Sequence, residues 1–312
     1  MIVNLIALIT LQTAPLKAEP PITIPGGAGH FDFMNIDAKN NLVMACHPGK
    51  SALAVLNTAT GKATDVPIGT EVKGVCADSA NQMIYAAGPG KMLVALNSKT
   101  MKVSGTLALD GPGDCVQFDR KRGVVYIDND DGTNLWIVDA KTLKLTGTVT
   151  IKEAPEYMEY DNGKGLIYQA IKSTSTVQVI DCDAKKVTAE YTLGTLTSPH
   201  GLALDRKTRR LFVVGKNGKL TILDADSGKL LSTVDVVGGS DQVAYDRSNQ
   251  RVYIPGGGVI QVIQITGGDG KVLGTVPVAK DCHRVVVNQT THDVYVAFSE
   301  GTESYFQKFT AK

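Results

Sequence analysis

The sequence predicts an all-β fold, a seven-bladed β-propeller with four antiparallel strands per blade. Three observations lead there. A short apolar strand ending in an acid or amide recurs seven times, as FMNID, GVCAD, CVQFD, YMEYD, GLALD, QVAYD and RVVVN. The end residues Asp37, Asp78, Asp119, Asp161, Asp205, Asp246 and Asn288 follow one another at 41, 41, 42, 44, 41 and 42 residues. Glycine is abundant (32 of 312 residues), and β-branched or aromatic runs alternate with Gly, Asn and Asp turns. Strands bounded by turn residues in a repeat of this length are the sequence form of a propeller blade.

Each element of the repeat can be placed in order. After the anchor strand comes a second strand: LVMAC, MIYAA, VVYID, LIYQA, LFVVG, RVYIP and DVYVA. A third follows: ALAVLN, MLVALN, NLWIVD, TVQVID, KLTILD, VIQVIQI and SYFQKF. A turn such as TATGK or ADSGK leads to a fourth: TDVPIG, SGTLAL, TGTVTI, AEYTL, LSTVDV and GTVPV. The seventh unit reaches Lys312 without its fourth strand. The segment PITIPGG at 21–27 looks like the missing piece and is expected to pair with the last blade. Ring closure of this kind leaves no open sheet edge.

Composition narrows the functional classes. Lys and Arg total 32 against 31 Asp and Glu, a net charge near +1. That balance offers no field for a nucleic-acid backbone, so no nucleic-acid partner is expected. Residues 2–11, IVNLIALITL, form the one long apolar run. It is too short for a membrane span of about 20 residues. Leading to Ala18, it reads as a signal peptide over 1–18, ahead of a single domain at 19–312. The expected location is periplasmic or secreted, with no integral membrane segment after signal removal. Five cysteines (Cys46, Cys76, Cys115, Cys182 and Cys282) form no CxxC pair. They are expected to pack as buried free thiols.

The apolar–Tyr–Val/Ile second strand, the V-I-D third strand and the D/S-x-T/S-x-K turn resemble the YVTN-type β-propeller repeat. Over about residues 20–312 the chain is similar to the exported YncE-like seven-bladed proteins. The resemblance implies the fold and export. It implies little chemistry, because propellers host many functions. Lactonases and streptogramin lyases of related architecture point to the top face as the usual place for a site.

The repeat separates structural residues from candidate functional ones. The anchors, with Asn57, Asn97, Asp139, Asp181 and Asp224 at third-strand ends, recur in nearly every unit and are expected to cap turns. Five residues before each anchor is a lead-in position near the mouth of the central channel. It reads Asp32, Lys73, Asp114, Glu156, His200, Asp241 and His283, all ionisable. Two residues further inward, Met34, Val75, Val116, Met158, Leu202, Val243 and Val285 would make an apolar throat. His30 and the second-to-third loops, which carry His47, Asp128 to Asp131 and Lys172, share that face. The candidate ligand site is therefore His30, Asp32, His47, Lys73, Asp114, Glu156, His200, Asp241 and His283. Blades five, six, seven and one are neighbours, so His200, Asp241, His283 and Asp32 would form one arc able to hold one divalent metal ion. His292 is placed on the opposite face.

The expected function is an exported binding or scaffold protein whose top face takes a small molecule, a metal ion or an envelope protein. The alternative is a metal-dependent hydrolase or lyase of lactonase type at the same site. A monomer is expected, since a closed ring has no edge to pair.

Overall fold

A computed structural model describes residues 14–312. It contains seven sheets arranged in sequence as blades: six have four strands paired antiparallel with their neighbours in chain order, and the seventh has three such strands and two short N-terminal pieces paired with the last of them. Blade one runs Met34–Asp37, Leu42–His47, Ala52–Asn57 and Lys62–Pro67. The inner strands of the next four blades are Gly74–Asp78, Gly113–Asp119, Pro155–Asp161 and Pro199–Asp205. Those of blades six and seven are short, Ala244–Asp246 and Val286–Val287. Among the described residues no helix is long and apolar enough to cross a membrane.

The repeated anchors do what their spacing implies. Asp78 Oδ1 accepts the backbone N–H groups of Ala80 and Asn81, and Asp119 Oδ1 those of Lys121 and Arg122. Third-strand ends repeat the device, as with Asn57 and the N–H groups of Ala59 and Thr60. Four residues after each anchor the backbone is left-handed: Asn41, Gln82, Gly123, Gly165, Arg209, Gln250 and His292. Only two of the seven are glycine, so the capping carboxylate and the strands on either side hold the turn without it. His292 occupies the last of these positions, and its Nδ1 lies 3.0 Å from both oxygens of Asp246 in the preceding blade.

The hydrophobic core lies between blades. Third strands such as Met92–Asn97 and Asn134–Asp139 are buried along their four central residues, and fourth strands such as Lys186–Thr192 alternate towards solvent. The largest side chains sealed inside include Trp136, Tyr126, Tyr168, Tyr253, Phe212, Phe306 and Phe309. Second-strand tyrosines hook one blade to the next: Tyr85 donates to the Ala140 carbonyl and Tyr168 to that of Ala225. All five cysteines are buried and free.

The ring closes through the N-terminal segment. Ile22–Ile24 pairs antiparallel with Glu303–Ala311, Ile22 opposite Phe306 and Ile24 opposite Ser304. A second piece, Leu16–Ala18, continues along the same partner, Leu16 opposite Ala311. Pro20 and Pro21 separate the two pieces, since proline has no N–H to give a ladder. Most of the expected leader, residues 1–13, lies outside the described residues; its last three residues form this strand.

Blades two and three approach so closely that the fold requires glycine at one point. A Cβ on Gly74 would sit on the Asp114 carbonyl oxygen and press on Val116. Gly74→Ala is expected to cost about 3 kcal/mol through overpacking. Urea denaturation checks this; a change under about 1 kcal/mol would mean that the blades can part there.

Candidate functional site

The channel mouth is built on irregular strand starts. In blades three, four and five the ladder slips between Gly113 and Val116, between Pro155 and Met158, and between Pro199 and Gly201. Asp114, Glu156 and His200 therefore sit on β-bulges, where an extra residue re-aims a side chain. Buried side chains cap the displaced backbone. Asp128 Oδ1 accepts from the Cys115 N–H at 2.7 Å, and Gln169 Nε2 donates to the Glu156 carbonyl at 2.6 Å.

These residues line a funnel of about 240 Å³ with Asp32, Phe33, Lys73, Asp130, Lys172, Asp241 and Arg284. The residue after each lead-in position decides how the channel closes. Where it is Gly74 or Gly201, adjacent inner strands touch. Where it is aromatic, in blades one and four, Phe33 and Tyr157 meet edge to face at 5.2 Å. Gln242 of blade six bonds the Met34 backbone on both sides, accepting its N–H at 2.9 Å and donating to its carbonyl at 2.8 Å. The apolar throat is thus crossed by an aromatic and amide layer. Tyr157 and Gln242 line a separate cavity of about 230 Å³ below it.

The funnel wall is a network of opposite charges. Lys73 Nζ donates to Asp130 Oδ2 at 2.6 Å and stands 3.8 Å from Asp114 Oδ1. Lys172 pairs with Glu156, and Lys216 with Asp241. Arg284 Nη2 bridges Asp241 Oδ2 at 2.8 Å and Asp32 Oδ1 at 3.2 Å. His200 Nδ1 lies 2.9 Å from the Ser198 carbonyl, and its Nε2 lies 3.4 Å from Glu156. Burial lowers the His200 imidazole against the pull of Glu156. Because a carbonyl oxygen can only accept, Nδ1 carries a proton and donates it to Ser198.

The carboxyls divide into two kinds. Burial pushes Asp114 and Asp128 well above the ordinary carboxylate range, reinforced by neighbouring acids. Burial also raises Asp32, against the opposing Arg284. Asp241 goes the other way: burial would raise it, but Arg284 and Lys216 hold it below its usual value. Lys73 is held above its usual value by Asp114 and Asp130, although burial works against this.

Of the nine predicted ligand residues, six converge on the funnel: Asp32, Lys73, Asp114, Glu156, His200 and Asp241. Three do not. His47 is fully buried within blade one, its Nδ1 3.0 Å from Asp65 and its ring stacked on Phe31 at 4.4 Å. It ends a strand buried on both faces, so its side chain joins the blade interior. His283 turns its ring towards Gly239 and leaves Nδ1 buried without a hydrogen-bond partner. His30 is exposed outside the cavity lining.

The proposed metal arc is not assembled. Among the described residues no three His, Cys, Asp or Glu side chains are grouped to hold a metal ion. Asp32 and Asp241 do converge, but on the guanidinium of Arg284. Sequence reasoning missed Arg284, Lys216, Phe33, Tyr157 and Gln242. Lys216 had a signal: LFVVGK places it where LIYQAIK places Lys172. The others share one register, the residue after the lead-in position, where chemistry varies from blade to blade.

Fold and site together define a seven-bladed propeller scaffold with a polar, closed-bottom funnel on its top face. The chain is similar to one in a crystal structure of a mitotic checkpoint complex, with a TM-score of 0.78 and 12% identity, covering 93% of this chain and 91% of that one. At that identity the likeness is one of fold. No family model matches the chain, and no curated protein matches it.

Proposed function

We propose that the protein is an exported, YncE-like binding module whose top-face funnel holds a small polar ligand or a side chain of an envelope partner. One observation carries this reading: six lead-in residues from six blades, Lys73 among them, converge with two further cations, Lys172 and Arg284, on one small polar cavity. Asp32, Asp130, Glu156 and Asp241 each hold a cation, an arrangement suited to recognising a polar molecule in one orientation. Binding is favoured over metal-assisted hydrolysis because Arg284 stands between the two aspartates that a metal would need. The similar checkpoint-complex chain is part of a protein assembly, which supports the partner form of the reading.

A thermal-shift screen of small amines, amino acids, carboxylates and sugars on the purified monomer is expected to return a stabilising ligand. Glu156→Gln, which removes the charge and keeps the side chain's size, should abolish the shift and leave the unliganded melting temperature nearly unchanged, because its partner Lys172 is 43% exposed and can turn to water. A screen without a single stabilising compound would remove the reading. Lactone turnover lost in Glu156→Gln would replace it with the hydrolase.

Export is tested by sequencing the N-terminus of the protein recovered from the cell envelope. A cut after Ala18 removes Leu16–Ala18, and with it the sealed Leu16 side chain. A chain starting at Glu19 is expected to be about 2 kcal/mol less stable than one starting at Pro15, from that single burial.

A further inference from the structure

We propose that the funnel takes a small organic cation, an ammonium on a short chain, held by Asp114 and Asp32 above the ring of Phe33. The inference rests on the reading of the funnel as a ligand site and adds the chemistry of the ligand. Acceptors and donors there are unequally used. Asp114 is 4% exposed, lines the funnel, and its carboxyl makes no hydrogen bond among the described residues. The nearest cation is Lys73 at 3.8 Å, whose own hydrogen bond goes to Asp130. A buried carboxyl without a donor is costly, and native proteins rarely leave one so. Its oxygens are not among the side-chain polar atoms sealed from solvent without a partner, so what remains of its surface opens into the funnel. Arg284 Nε, by contrast, is an unused donor that is sealed, and a ligand in the cavity does not meet it.

The neighbouring acids repeat the pattern in part. Asp32 engages Arg284 through Oδ1 alone, Asp130 engages Lys73 through Oδ2, and Glu156 engages Lys172 through Oε1. The second oxygen of each makes no hydrogen bond among the described residues, and all three residues line the cavity. Five carboxyls and three cations line the funnel, with Lys216 paired to Asp241 beside it, and the lysines that line it are 29% and 43% exposed. At Asp114 no charged donor stands within hydrogen-bond distance. Phe33 also lines the cavity, and an aromatic face attracts a cation. A cavity of roughly 150 Å³ admits benzene, so about 240 Å³ has room for a short alkyl ammonium.

Calorimetry with three four-carbon probes of different charge tests this: putrescine, 1,4-butanediol and succinate. Putrescine is expected to bind and the other two to give no heat. Asp114→Asn should weaken putrescine by about tenfold or more, through the loss of a charge-assisted bond. Phe33→Leu should weaken it by about threefold. If Asp114→Asn fails to fold, Asp32→Asn with Phe33→Leu carries the test. Absence of putrescine heat at millimolar concentration overturns the inference, and so does heat indifferent to all three variants. Succinate binding that Lys172→Met abolishes overturns the cation and leaves the funnel standing as a ligand site. The broader screen separately decides whether the funnel binds anything.

Discussion

Arg284→Met is expected to destabilise the protein by about 3–5 kcal/mol at pH 7, because it strands the buried Asp32 carboxylate and leaves Asp241 with Lys216 alone. The guanidinium is 9% exposed, and its partners Asp32 and Asp241 are 10% and 15% exposed. The loss will depend on pH in a direction that identifies its cause. In the wild type Asp241 is held below its usual value. Its contribution is present above the unfolded carboxylate pKa of about 3.9 and disappears as pH falls through the lower folded value. Without Arg284, burial raises Asp32 further and shifts Asp241 upward against Lys216 alone. A raised acid is tolerated while protonated and becomes a penalty as pH rises. The variant's deficit should therefore be small near pH 4 and largest at neutral pH. Urea denaturation at both pH values measures it. Adding Asp32→Asn and Asp241→Asn should recover most of the loss. A pH-independent deficit, or one below about 1 kcal/mol, would show that the guanidinium does not hold the mouth together.

A chain beginning at Pro25 is expected to lose about 3–6 kcal/mol, from exposing the pockets of Leu16 and Ile24 at about 1.5–3 kcal/mol each. Those side chains are 1% and 0% exposed. The deletion also strips the partner from Glu303–Ala311, which becomes an unprotected edge. Light scattering should then show association that the chain beginning at Pro15 does not, and a peptide covering residues 14–24 should reverse it. A truncated chain that stays monomeric with an unchanged melting temperature would show that closure contributes little.

The legible part of the site was the part written in the repeat. A position five residues before each anchor is placed by the same turn and the same strand in every blade, so its location follows from counting. Its direction does not. Bulges at Asp114, Glu156 and His200 turn those side chains into the funnel, while His283, at the same count, turns towards Gly239. His47 looked like a loop ligand and is instead a strand end stacked on Phe31 and bonded to Asp65. No spacing distinguishes these outcomes, because each depends on what the next blade presents.

The amino-acid order alone determined seven units, their strand sequence, the capping role of the anchors and the use of residues 21–27 to close the ring. These depend on local turn chemistry and alternation, which act within a few residues. Tertiary structure decided that Arg284 sits between Asp32 and Asp241, 252 and 43 positions away in the chain, and that Phe33 and Tyr157 cross the channel. It also left Asp114 facing a cavity without a donor. Such matters are settled by which atoms meet across blades, and long-range contact and burial carry no signature in neighbouring residues.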